Sequence, residues 1–124
     1  MKVLIVEDEE ALRTVLQEKI QKSGFETFVA RDGVEGWTMA KSKNPDIILL
    51  DLILPKRSGF DVLKMLKQDP DLKNVPVIVL SNLAGDEDLK KALQMGAEDY
   101  FVKSQHPINE IVEKLQNRLL EKSR

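Results

Sequence analysis

The sequence predicts an α/β fold, a doubly wound open parallel sheet with helices on both faces. Two observations carry this expectation. Short β-branched runs alternate with longer stretches whose apolar residues recur at helical spacing, giving five strand-then-helix repeats. The runs at 2–6, 46–50 and 76–80 are almost continuously apolar, as in strands buried on both faces rather than one. Right-handed crossovers then place helices on each side of the sheet.

The elements follow in order. "KVLIV" (2–6) reads as the first strand, and Leu12, Val15, Leu16 and Ile20 form one face of a helix that ends near Gly24. "FETFVA" (25–30) is the second strand; Asp32 and Glu35, three apart, form a capping box at the next helix start. Inside that helix Gly36 costs about 1 kcal/mol relative to alanine, and Trp37 reads as a packing residue. "DIILL" (46–50) is the third strand, and Ser58 with Asp61 makes a second capping box. "PVIVL" (76–80) precedes a helix around 86–95 that ends near Gly96; "EDYFVK" (98–103) is the fifth strand. Pro107 suits the first turn of a last helix, 107–122, with Ile108, Ile111, Val112, Leu115 and Leu119 on one face.

The 124 residues fit one domain, 1–124, with enough apolar content (42%) for a packed core. A net charge of −2 gives no basic excess for a direct nucleic-acid or membrane-surface partner. The absence of cysteine excludes disulfides, thiol catalysis and cysteine-ligated zinc. The opening apolar run is too short for a signal peptide, and a membrane span needs roughly 20 apolar residues, so a cytoplasmic protein is expected.

In open α/β sheets ligands bind beyond the carboxyl ends of the strands, where strand order reverses. Glu7 and Asp8 follow the first strand, Asp51 the third, Ser81 the fourth, and Lys103 stands at the fifth. Asp51 lies between four apolar residues and three more, in "IILLDLILP"; a charge in such a run is unfavourable unless paired. Its plainer reading is a solvated loop acid just past Leu50. Glu9 and Glu10 are accounted for as first-turn acids that complement the helix dipole, and no chemistry is assigned to them. Ser81 alone reads as a turn residue and Lys103 alone as a solvated lysine.

Together these groups point to a cation site. Three neighbouring carboxylates repel, one lysine cannot neutralise them, and an oxygen-only ligand set favours magnesium, with manganese or calcium as alternatives. Acids, a divalent metal, a lysine and a hydroxyl suggest phosphoryl transfer, with a carboxylate nucleophile forming an acyl phosphate. Asp51 is the central candidate.

The acidic pair in "VEDEE", the "DLILPKRSG" segment, "VIVLS" and "GAEDYFVK", in this order and spacing, resemble the receiver domain of two-component response regulators over essentially the whole chain. The resemblance implies a (βα)5 flavodoxin-like fold with strand order 2-1-3-4-5. It implies that Asp51 is the phosphoacceptor and that Mg2+ is bound by Asp8, Asp51 and the Ile53 backbone carbonyl, with Glu7 acting through water. Ser81 resembles the switch hydroxyl, Lys103 the phosphate-binding lysine and Tyr100 the switch aromatic, while Pro55 and Gly59 shape the loop beyond Asp51. The donor implied is the phosphohistidine of a sensor histidine kinase or phosphotransfer protein. The chain would catalyse its own phosphorylation and dephosphorylation without turning over a separate substrate. A downstream protein target is implied, and a homodimer is compatible.

Some residues depart from the family pattern. Ser104 follows Lys103 where proline is usual, so a trans bond, or else a strained one, and a differently placed "SQHP" loop are expected. Asn82 follows Ser81 where a small residue is favoured, and Ile53 and Leu83 replace often-polar positions, which suggests a long-lived acyl phosphate. His106, the single histidine, precedes a proline and reads as structural rather than as a phosphodonor. Three other readings stay open. A nucleotide or flavin binder would need a glycine-rich loop where "EDEE" stands. An aspartate-nucleophile phosphatase would want an acid at Ile53. A receiver-like interaction module would never accept phosphate.

Overall fold

The computed structural model describes residues 1–83 and 85–122. Strands and helices alternate: β1 (Lys2–Val6), α1 (Glu10–Lys22), β2 (Glu26–Ala30), α2 (Gly33–Lys43), β3 (Ile47–Leu50), α3 (Gly59–Gln68), β4 (Val77–Ser81), α4 (Asp86–Gln94), β5 (Asp99–Val102) and α5 (Ile108–Lys122). All pairings are parallel and the strand order is β2-β1-β3-β4-β5. The chain leaves β1 towards β2 and returns to place β3 on the other side of β1, so the reversal falls between β1 and β3.

Alternation along the strands divides the apolar residues between two layers. Leu4, Val6, Ile48, Leu50, Val77 and Val79 face α2, α3 and α4 through residues such as Ala40, Leu63 and Ala92. Val3, Ile5, Ile47, Leu49, Ile78 and Leu80 face α1 and α5 through Leu16, Ile20, Ile111 and Leu115. Covering both faces is why β1, β3 and β4 read as unbroken apolar runs.

The forward half of each capping box forms, while the Glu35 carboxylate turns to Arg31 rather than back to the cap amide. Asp32 accepts a hydrogen bond from the Glu35 amide at 2.8 Å and Ser58 one from the Asp61 amide at 3.2 Å. Gly24 (φ 94°) and Gly96 (φ 108°) follow α1 and α4 in the left-handed region. Pro107 lies just before α5 rather than in its first turn, and its carbonyl accepts from the Glu110 amide at 3.1 Å. Ser81 is the last residue of β4 rather than the first beyond it. β1 has the expected limits, β2, β3 and β4 begin one residue later than expected, and β5 is one residue shorter at each end.

Gly36 sits where α2 crosses β1: a Cβ there would lie 2.9 Å from Val6 Cγ1. The helix thus gives up propensity for close approach to the sheet. Trp37 is half-buried against the α2–α4 layer, as a packing residue should be. Among the described residues no helix is long and apolar enough to cross a membrane.

Candidate functional site

The carboxyl ends of β1 and β3 bring the acids together through the backbone. The Glu7 amide donates to the Ala30 carbonyl at 3.0 Å, and the Asp51 amide to the Val6 carbonyl at 3.0 Å. Each acid thus continues a sheet ladder by one residue and is held firmly. Glu7 and Asp51 are buried, 1% and 3% exposed, while Asp8 lies at the exposed rim. One carboxylate oxygen from each of Glu7, Asp8 and Asp51 lies within 4.8 Å of the others. The third strand does end at Leu50, but Asp51 is not the solvated loop acid of the plainer reading.

Lys103 joins these groups from the far edge of the sheet. Its ammonium donates to Asp51 Oδ2 at 2.9 Å, and it lies 2.8 Å from Glu7 Oε1 and 3.4 Å from Glu9 Oε1. The contact with Glu7 Oε1 is a charge contact off the direction of a hydrogen bond. That buried oxygen has no hydrogen-bond donor aimed at it. The second Glu7 oxygen accepts the Glu9 amide at 3.0 Å, and Asp51 Oδ1 accepts the Ile53 amide at 3.1 Å.

Burial pushes the Glu7 carboxyl up to about 7; the Asp51 charge adds to this, while Lys103 and the Glu9 amide oppose it. Burial by itself would lower the Lys103 ammonium, but Glu7 and Asp51 outweigh it and hold it above the ordinary lysine value. The site therefore carries more negative charge than its one lysine balances.

The loop beyond Asp51 is shaped by close approach. The Gly59 amide donates to the Leu52 carbonyl at 2.9 Å, and a Cβ on Gly59 would fall 2.1 Å from the Asp51 carbonyl oxygen. Only glycine lets α3 begin so near the acid. The Pro55 carbonyl accepts from the Arg57 amide at 2.7 Å around Lys56, whose φ is 68°. Ile53 and Asp51 line a cavity of about 120 Å³ together with Asp8, Glu9, Asn82 and Lys103.

Ser81 is fully buried, and its hydroxyl oxygen accepts the Leu83 amide at 3.3 Å. It stands on the same sheet face as Val79, whose register partner is Tyr100. Tyr100 is 8% exposed on an edge strand, with its hydroxyl donating to the Leu83 carbonyl at 2.7 Å. Burial raises the Tyr100 phenol above its ordinary value, with Asp88 and Asp51 adding to the shift. Ser81 and Tyr100 are thus both tied to Leu83, and the ring already occupies the interior position.

Two contributors escaped sequence reasoning. Glu9 reaches Lys103, although its first-turn position explained it fully. Arg13 Nη1 donates to the Glu7 carbonyl at 3.0 Å and approaches the Asp8 carbonyl at 3.5 Å. Its signal was its place as the only basic residue in the first half of α1, within reach of the acidic turn. His106 packs edge-on to Phe101 and pairs with Glu110 at 3.2 Å, a structural role. No peptide bond among the described residues is cis, so Ser104 follows Lys103 through a trans bond.

The donor set fits a hard divalent cation. The ligand atoms are all oxygen, a buried Glu7 oxygen lacks a hydrogen-bond donor, and the negative charge is in excess. Glu7, Asp8 and Asp51 are the residues able to hold such an ion.

The chain is similar over most of its length to known proteins. Residues 3–116 match the model of the response regulator receiver domain. The polar-differentiation response regulator DivK of Brucella ovis is 40% identical over 101 residues, 82% of each chain. The alkaline phosphatase synthesis transcriptional regulatory protein PhoP of Bacillus subtilis is 39% identical over 108 residues, 86% of this chain but only 43% of that regulator. The chain thus spans less than half of PhoP. The Francisella response regulator 1452 receiver domain superposes with a TM-score of 0.89 at 31% identity, covering 99% of this chain and 98% of that one.

Proposed function

We propose, from the premise that this chain belongs to the response regulator receiver domain family of two-component signalling, that it accepts a phosphoryl group on Asp51. The observation that carries the reading is the burial of Asp51 against two further carboxylates, with Lys103 on its Oδ2.

An Asp51 carboxylate oxygen attacks the phosphorus of a phosphohistidine. The P–O bond forms as the P–N bond breaks, and the electron pair leaves with the imidazole, which takes up a proton. Bound magnesium would neutralise charge building on the phosphoryl oxygens; Asp8, Asp51 and the Ile53 carbonyl would hold it, with Glu7 acting through water. Lys103 donates to one phosphoryl oxygen and the Ser81 hydroxyl to another. Both groups stand at neighbouring strand ends, and the Lys103 amide donates to the Ser81 carbonyl at 2.9 Å.

Phosphorylation replaces the single charge of the Asp51 carboxylate with a phosphoryl group of about −1.5 to −2 and brings three acceptor oxygens. Drawing Ser81 to them removes its oxygen from the Leu83 amide. Tyr100, bonded to the Leu83 carbonyl, then locks the β4–α4 loop in its new position and changes the surface of α4, β5 and α5. Such a switch needs two states that the phosphoryl group stabilises unequally.

Receiver domains act between histidine kinases and downstream targets. For this chain the proposed donor is a sensor kinase or phosphotransfer protein, the output is by protein contact with homodimer formation compatible, and the setting is the cytoplasm. The reading takes 1–124 as a single receiver domain. Ile53, 54% exposed, and Leu83 offer no polar group to orient an attacking water, so the acyl phosphate is long-lived. Hydrolysis as fast as in a chemotaxis receiver would contradict that lifetime.

The test is intact-mass measurement after incubation with Mg2+ and acetyl phosphate. One labile phosphoryl adduct is expected, absent without metal and absent in Asp51→Asn. An unmodified mass under all conditions would leave a receiver-like module that acts by contact alone.

A further inference from the structure

We propose that Glu9 is a charge gate at the mouth of the Asp51 pocket, selecting against free dianionic phosphodonors and for a donor that brings its own cation. The inference rests on the phosphoacceptor reading of Asp51 and adds a specificity-determining residue to it.

Glu9 stands at the N-cap of α1, yet its side chain caps no helix amide. It reaches across instead, with Oε1 3.4 Å from the Lys103 ammonium. Its own amide is committed to Glu7 Oε2, so the backbone beneath the carboxylate is pinned. Its side chain is half-exposed, and Glu9 borders both the cavity of about 120 Å³ containing Asp51 and a cavity of about 260 Å³ lined also by Ser104 and His106, which puts it at the mouth of the acid pocket. Asn82 and Lys103 are shared by the same two cavities.

Two consequences follow from this placement. In the resting site Glu9 is a third claimant on Lys103, after Asp51 and Glu7. An incoming phosphoryl group must draw the ammonium away from it. The same carboxylate repels a free dianion at the entrance. A protein donor with a lysine or arginine beside its phosphohistidine would pair with Glu9, so the group that repels the free donor attracts the protein one. Glu10 is the internal control. It carries the same charge one residue further on, in the first turn of α1, is exposed, and lines neither cavity.

The experiment compares Glu9→Gln, Glu10→Gln and Glu9→Asp by intact mass, with acetyl phosphate (two negative charges) and phosphoramidate (about one net) as donors in Mg2+. For charges roughly 8 Å apart in water, Glu9→Gln should accelerate acetyl phosphate about fivefold and phosphoramidate about twofold. Both gains should vanish near 1 M salt. Glu10→Gln should leave both rates at wild type, and Glu9→Asp should keep the wild-type ratio between donors. In the metal-free protein the NMR signal of the Lys103 ammonium should move in Glu9→Gln and not in Glu10→Gln. Equal behaviour of Glu9→Gln and Glu10→Gln, equal gains for the two donors, or an unmoved Lys103 signal would overturn the gate alone. No adduct in wild type with either donor would overturn the phosphoacceptor reading and the gate with it.

Discussion

Lys103 Nζ rests 2.9 Å from Asp51 Oδ2 although the two residues are 52 apart in sequence and follow strands separated by β4. The Lys103 side chain is 10% exposed, and its ammonium lies between two almost fully buried carboxylates. Its attraction is what lets Glu7 and Asp51 share one pocket before any metal or phosphoryl group arrives.

Removing that cation therefore exposes the repulsion. Lys103→Met should destabilise the metal-free protein by about 3 kcal/mol, the usual scale for stranding a buried charge. Added Mg2+ should restore a larger share of stability to the variant than to the wild type. Urea unfolding with and without Mg2+ measures both; a variant as stable as wild type in chelator would show that the three charges do not depend on one another.

The Glu7 carboxyl predicts an unusual pH profile. Its value is raised from an ordinary 4.5 to about 7, chiefly by burial, so the folded protein holds this proton more tightly than the unfolded chain. Its contribution to stability is then fully present below about 4.5 and is lost as pH rises through about 7. In chelator, the difference between wild type and Glu7→Gln should shift against wild type between pH 5 and pH 7.5. Mg2+ affinity should move the opposite way and strengthen as pH rises through 7. Urea midpoints and calorimetric titrations at pH 5, 6 and 7.5 read the two trends, and a flat difference would show that Glu7 is ionised throughout.

Gly59 is predicted to tolerate no side chain where α3 begins beside the acid. A Cβ would sit 2.1 Å from the Asp51 carbonyl oxygen and 2.4 Å from Leu52 Cα, both backbone atoms with no room to yield. Gly59→Ala should lose about 3 kcal/mol, the upper end of overpacking costs, or fail to fold. Gly24→Ala meets open space and only a positive φ, and should lose about 1 kcal/mol. Equal losses in urea unfolding would mean that α3 can shift away from Asp51.

Much of this was legible because local chemistry and tertiary demand coincide. Continuous apolar runs identified β1, β3 and β4 because both sheet faces are covered. Asp32 and Ser58 announced their helices because a cap needs a short acceptor side chain at a fixed spacing. Asp51 stood out because a charge in an apolar run must be paired. Other roles were hidden by sufficiency. Glu9 was already explained by the helix dipole, so nothing in its neighbours demanded that it reach Lys103, 94 residues away. The strand order came from family resemblance, because pairing of separate apolar runs leaves no local trace. The role of Tyr100 came from the family resemblance; its buried position is tied to the Leu83 carbonyl, which no local sequence pattern reveals.

The central claim is that Glu7, Asp8 and Asp51 converge to hold one divalent cation. A Mg2+ titration followed by amide NMR tests it most directly. Saturable shifts centred on Glu7, Asp8, Asp51 and Ile53, and lost in Asp8→Asn, are predicted. Shifts confined to another acidic stretch such as Asp86, Glu87 and Asp88, or no saturable shift at all, would contradict it.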